Sequence, residues 1–229
     1  MLMSDTTTIE LKNIDTEDIS DVLGKVEKSF GFKFGKTDLK DVKTFGELCD
    51  IITNKVQGDN SNDCTTQQAF YKLRNALAAT QLIDKDDITP DTELQQLFPR
   101  QNRRQKVKEL QNELGIPIDI LDIKTWLGWT IFIGLTLSVI MFFFKWQFAL
   151  YGLSFFIIMG WTANKFFATE LELLTIRQLA EKLSRENYLK ARRNPSTINR
   201  NEIAQKVKEI FSKDFDLDEQ VLTRQATFV

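Results

Sequence analysis

Two long stretches without a charged residue constrain this chain more than any other feature. Trp126 to Phe144 (WLGWTIFIGLTLSVIMFFF) spans 19 residues and Gln147 to Asn164 another 18, separated only by Lys145-Trp146. Nine of the 18 phenylalanines lie between Phe132 and Phe167. A bilayer's hydrocarbon core takes about 20 apolar residues of helix, with a range of about 17–25. Both runs fit, and neither carries the one-sided apolar stripe of a helix buried in a globular core. Trp126, Trp129, Trp146 and Trp161 sit near the ends of the runs, where indole favours the headgroup zone. More than 120 residues precede the first run, which is incompatible with a cleaved secretory signal. The sequence therefore predicts a transmembrane hairpin over 125–168, with helices near Thr125–Phe144 and Trp146–Phe167.

The flanks set the orientation. Arg100, Arg103, Arg104, Lys106, Lys108 and Lys124 precede the hairpin, and Lys165, Arg177, Lys182, Arg185, Lys190, Arg192 and Arg193 follow it; the turn holds only Lys145. By the positive-inside rule both polar regions face the cytoplasm, giving an inner (plasma) membrane protein with two spans and both termini cytoplasmic. The cluster from Arg100 to Lys108 reads either as a contact for lipid headgroups or as a solvated helix face that only sets topology. Two cysteines, Cys49 and Cys64, are too few for a disulfide framework and agree with a reducing compartment. The net charge is −2, which argues against a general nucleic-acid binder. The absence of histidine removes His-dependent nucleophiles, proton shuttles and metal sites.

Outside the hairpin the chain reads as all-α. Ile19, Val22, Leu23, Val26 and Phe30 follow helical spacing up to Gly31, and Thr44 with Glu47 forms a capping box ahead of Leu48, Cys49, Ile52 and Val56. Gln57 to Thr66 is a polar linker. A second unit over 67–123 has helices marked by Phe70, Leu73 and Leu77 and by Val107, Leu110 and Leu114. A helix after Thr175 follows the hairpin, within a helical C-terminal region over 169–229.

Asp15 to Asp18, Phe30 to Phe34 and Thr44 to Ile52 together resemble segments of the acyl carrier protein family. Asp15-Thr16-Glu17-Asp18 stands where that family has Asp-Ser-Leu-Asp, with the matching distance to Phe30-Gly-Phe-Lys-Phe34. Thr44-Phe-Gly-Glu-Leu-Cys-Asp-Ile-Ile52 is similar to the start of the family's last helix. The family's first helix has no counterpart ahead of Asp15. Its likeness is at the other end of the chain, in Ile203, Val207, Ile210, Phe211 and the loop from Leu222 to Val229. The resemblance implies one bundle built from 1–56 and 199–229, closed within one chain or by helix swapping in a homodimer. The stretch Phe70–Leu82, then Ile88 to Leu94, Val107–Gly115 and Thr175–Leu183 are similar to a second copy, 67–123 completed by 170–190, in which Arg100, Gln101 and Asn102 fall at the attachment position. The fold class implied is all-α: two small carrier-like bundles joined to the hairpin.

A working carrier loads phosphopantetheine on a Ser hydroxyl at a helix N-terminus, where the dipole favours phosphate. Here Thr16 offers a bulkier secondary hydroxyl and Glu17 adds a negative charge beside it. The reading taken is that Thr16 only caps its helix, no cofactor is bound and no reaction is catalysed. The acidic face of Glu17, Asp18, Asp21 and Glu27 would dock a basic protein partner of acyl or lipid metabolism, with lipid as the second partner. The alternative is a genuine membrane-tethered carrier loaded at Thr16. Asp84, Asp86 and Asp87 lack the spacing and closing Glu of an EF-hand and read as a solvated turn.

Overall fold

The computed structural model describes residues 15–228. In chain order the elements are α1 (Thr16–Phe30), α2 (Phe45–Lys55), β1 (Asp59–Asn60), α3 (Thr65–Gln81), α4 (Leu94–Leu97), α5 (Arg103–Leu114), β2 (Leu121–Asp122), α6 (Thr125–Met141), α7 (Trp146–Phe167), β3 (Glu170–Leu171), α8 (Ile176–Glu186), α9 (Tyr188–Ala191), β4 (Thr197–Ile198) and α10 (Arg200–Phe215). The chain is mostly helical, and its strands are two-residue pairs. It divides into two compact units: Met1–Asn75 with Arg177–Val229, and Ala76–Ile176.

The first unit is discontinuous in sequence. Its core gathers Val22, Val26 and Phe30 of α1, Leu48, Cys49 and Ile52 of α2, and Ile203, Val207, Ile210 and Phe211 of α10. These sets repeat at three- and four-residue spacing, so each helix carries one apolar stripe, and three stripes meet. Phe211 is fully buried, with its ring 5.3 Å from that of Phe45 and 6.3 Å from that of Phe228. Tyr188 of α9 stacks on Phe30 at 4.9 Å. Gly31 ends α1 at φ 68°, a left-handed geometry that costs glycine little, and its N–H donates to the Glu27 carbonyl. The Thr44–Glu47 capping box opens α2.

The C-terminal segment docks directly on that box. Phe45 N–H donates to Ala226 O at 2.8 Å and Phe228 N–H to Lys43 O at 3.0 Å, around the bridge between Thr44 and Thr227. The approach is close enough that a Cβ on Gly46 would meet Arg224 O at 2.7 Å. The stretch 57–66, expected as a free linker, is tied down. β1 runs parallel to β4, with Asp59 N–H donating to Ser196 O and Ser61 N–H to Ile198 O. Its backbone donors find partners that a polar composition does not reveal.

The second unit repeats one device of the first. Ile176 N–H donates to Thr92 O at 3.1 Å and Leu94 N–H to Leu174 O at 2.8 Å, flanking a Glu93–Thr175 bridge. An antiparallel bridge thus precedes α8 as one precedes α2. The boundaries between units fall inside α3 and at the start of α8, so 67–75 and 177–190 belong with the first unit and not with 76–123. The apolar helices sit in this second unit. α7 occupies the residues expected of it, and among the described residues it is the one helix long and apolar enough to cross a membrane. α6 stops at Met141 with 17 residues, three short of the expected Phe144. Phe142, Phe143 and Phe144 donate to Val139, Ile140 and Met141, a tighter i→i−3 winding that ends the α-helix early.

Replacing Phe211 with Ala removes the ring at the centre of the first unit and should cost about 3–5 kcal/mol. Hydrogen exchange on the full chain should show this as lost protection at α1 and α2 amides, with α6 and α7 unchanged.

Candidate functional site

The start of α1 is the most acidic exposed surface that the sequence singled out. Asp15 is its N-cap, in extended backbone geometry, and its carboxylate accepts from Glu17 N–H at 3.2 Å. This corrects the expectation that Thr16 caps the helix. Asp15 precedes it and takes that role, because a short carboxylate reaches the second helical N–H. Thr16 is the first helical residue, and its side chain lies outside the described residues. Glu17, Asp18 and Asp21 are all exposed. Glu17 and Asp21 are four apart and Asp18 and Asp21 three apart, so the three share a face. Like charges at that spacing repel, while the positive end of the helix dipole favours Glu17 and Asp18 in the first turn.

Glu27 leaves that face. Its side chain is 14% exposed, pairs with Lys33 at 2.6 Å and accepts from Phe34 N–H at 2.6 Å. Burial pushes its pKa up, but the bonds from Lys33 and Phe34 outweigh it and hold the carboxyl below its ordinary 4.5. Glu27 closes the loop that follows α1; the family resemblance places it with the docking acids.

The α6–α7 pair is the second candidate surface. The helices meet through small residues: a Cβ on Gly134 would strike the Phe156 ring and one on Gly152 the Ser138 hydroxyl. Ala149 is fully buried and Ala163 nearly so. The outer faces expose Phe132, Ile133, Leu137, Phe155, Ile157 and Ile158. The hydroxyls of Thr130, Thr136, Ser154 and Thr162 each donate to the carbonyl four residues back, which satisfies these four donors within their own helices.

Arginines at the start of α5 bind the far end of α7. Arg104 donates to Lys165 O and Phe166 O, carbonyls without helical partners. Arg103 is 3% exposed and donates to Phe98 O and Thr169 O, while Arg100 pairs with Glu170 at 2.9 Å. These charges, counted from sequence as topology signals, also do structural work. Arg192 is another: fully buried, it donates to Asp63 O, Thr65 Oγ1 and Thr197 Oγ1 and lies over the Tyr188 ring. Sequence reading missed this role, since Asp63 and Thr65 come from a distant segment.

Other candidates fall away. Asp84 caps a short 3₁₀ turn by accepting from Asp86 N–H. Among the described residues no group of three or more Asp, Glu, Cys or His is arranged to hold a metal ion. Cys49 is buried, and burial pushes its thiol up to about 12; Cys64 is exposed. No protein-family model matches the chain, and no curated protein or solved structure matches it.

Two outcomes follow from these assignments. A group with a depressed pKa stabilises above its unfolded value and loses that contribution as pH falls through the folded one. Protection of the Phe34 amide should therefore drop as pH falls below about 4.5, and Glu27→Gln should remove that step in hydrogen exchange. Iodoacetamide at pH 8 should alkylate Cys64 alone, as read by peptide mass spectrometry, because the Cys49 thiolate is scarce and enclosed.

Proposed function

We propose that this chain is a membrane-anchored, carrier-like interaction module that works by binding, its acidic α1 head docking a basic protein partner of acyl or lipid metabolism at the cytoplasmic face. The observation that carries this reading is the exposed trio Glu17, Asp18 and Asp21 at the head of α1, a concentration of like charge that the bundle does not need. The joining of α1 and α2 with α10 supports the carrier-like part, because α10 stands in for the family's first helix, of which the sequence ahead of Asp15 carries no likeness. The likeness to acyl carrier proteins rests on the motifs around Thr16, Phe30 and Thr44.

The membrane part takes α6 and α7 as two spans joined by a turn at Lys145. At 1.5 Å per residue α7 is about 33 Å long and α6 about 25 Å, the latter at the lower limit for a span. The small-residue seam and the self-bonded hydroxyls suit helices surrounded by lipid. Lys165 over Trp161 at 4.7 Å and Lys145 over Phe148 at 5.8 Å suit the two interfaces. Both polar regions then lie on the cytoplasmic side.

The test is intact-mass analysis of the full chain after co-expression with a phosphopantetheinyl transferase. No added mass is expected; an adduct lost in Thr16→Ala would make the protein a loaded carrier instead. A photo-crosslinker at the exposed Ser20 should give a discrete protein adduct in cells, abolished by Asp18→Lys with Asp21→Lys. Modification of Cys64 by an impermeant maleimide in intact cells would overturn the orientation.

A further inference from the structure

Where α6 leaves and α7 returns, the second unit has a groove of about 430 Å³ with an apolar wall and a cationic rim. Trp126 and Leu127 form one side, and Met159, Phe166 and Phe167 the other, with the ammonium of Lys124 at its edge. None of the residues lining it is acidic. The cations extend past the lining: Lys165 Nζ lies 5.6 Å from the centre of the Phe166 ring, and the Arg104 guanidinium is bonded to the carbonyls of Lys165 and Phe166. Of the acids in the segments that flank the groove, Glu170 is held by Arg100, and Asp122 accepts from the N–H of Ile123.

An apolar trough with a lysine in its lining and no acid matches a molecule with an apolar chain and a negative head. We propose that this groove is a specific site for one anionic phospholipid, its acyl chain along Trp126, Leu127, Met159 and Phe166 and its phosphate against Lys124. This rests on the membrane reading above and extends it from general anchoring to a chosen lipid. Charge complementarity selects that occupant. A neutral zwitterionic lipid would fill the trough equally well but would bring a second cation to a rim that already carries several. The arginine bonds to the end of α7 hold the groove's far wall in place, so the site is formed before the lipid arrives.

Trp126 reports on the groove directly. In the full chain carrying Trp129→Phe, Trp146→Phe and Trp161→Phe, it is the one tryptophan left. Reconstituted in vesicles, its fluorescence should be quenched more effectively by phosphatidylglycerol brominated on its acyl chains than by the matching phosphatidylcholine. The expected preference is about fivefold, the equivalent of about 1 kcal/mol for one basic residue. Lys124→Gln should bring the two lipids to parity, while Lys108→Gln, an exposed cation outside the groove, should leave the preference standing. Equal quenching by both lipids, or equal losses in the two lysine variants, would overturn the site and leave the membrane reading intact. Quenching by neither lipid would overturn the membrane reading itself. Native mass spectrometry of the unaltered chain from mixed micelles gives an independent count. One retained phosphatidylglycerol, lost in Lys124→Gln, supports the site; no retained lipid, or retention unchanged in that variant, overturns it.

Discussion

The first unit depends on α10 coming back to a surface that α1 and α2 leave open. Arg200 donates to the carbonyl of Thr53 across a separation of 147 residues, and Phe211 reaches Phe45 at the centre of the same core. Closing so long a connection is entropically cheaper than its length suggests, because the cost rises only with the logarithm of loop size. Each doubling adds about 0.6 kcal/mol, less than the burial of a single large side chain contributes. The second unit and the apolar helix pair can therefore be housed in the interval without undoing the first.

A second regularity is the treatment of helix ends. The head of α2 is closed by its own capping box and by a returning strand; the tail of α7 is closed by Arg104, and the loop behind α1 by Glu27. In each case unpaired backbone groups draw a partner from elsewhere in the chain. Charged residues that composition would assign to solvent or to lipid headgroups are accordingly spread between surface and framework. Glu27 and Arg103 belong to the framework; Asp18, Asp21 and Lys124 lie at the surface.

Much of this was legible in the residues themselves. Apolar spacing marked α1, α2 and α10, the Thr44 box marked a helix start, and the uncharged run after Lys145 marked α7, because each signal is local and repeats over several turns. The end of α6 was missed because three phenylalanines are as apolar in a 3₁₀ turn as in a helix. Thr16 was taken as a cap in place of Asp15 because both residues have the right oxygen, and only backbone geometry separates them. Glu27 and Arg192 were misjudged for one reason: their partners lie in loops or in distant segments, and no periodicity encodes these. Of the four acidic residues of α1, Glu17, Asp18 and Asp21 are exposed as their composition suggests, and Glu27 is drawn into the framework.

The discontinuity of the first unit has a consequence for biosynthesis. On a ribosome adding about 5–20 residues per second, the 147 residues between Thr53 and Arg200 take on the order of 7–30 seconds to make. Helices form within microseconds, so the apolar stripes of α1 and α2 are displayed long before α10 exists to cover them. During that interval the nascent chain presents two adhesive surfaces, and the apolar pair emerges while they are still open. Only when α10 has been made can the stripes of α1 and α2 be covered.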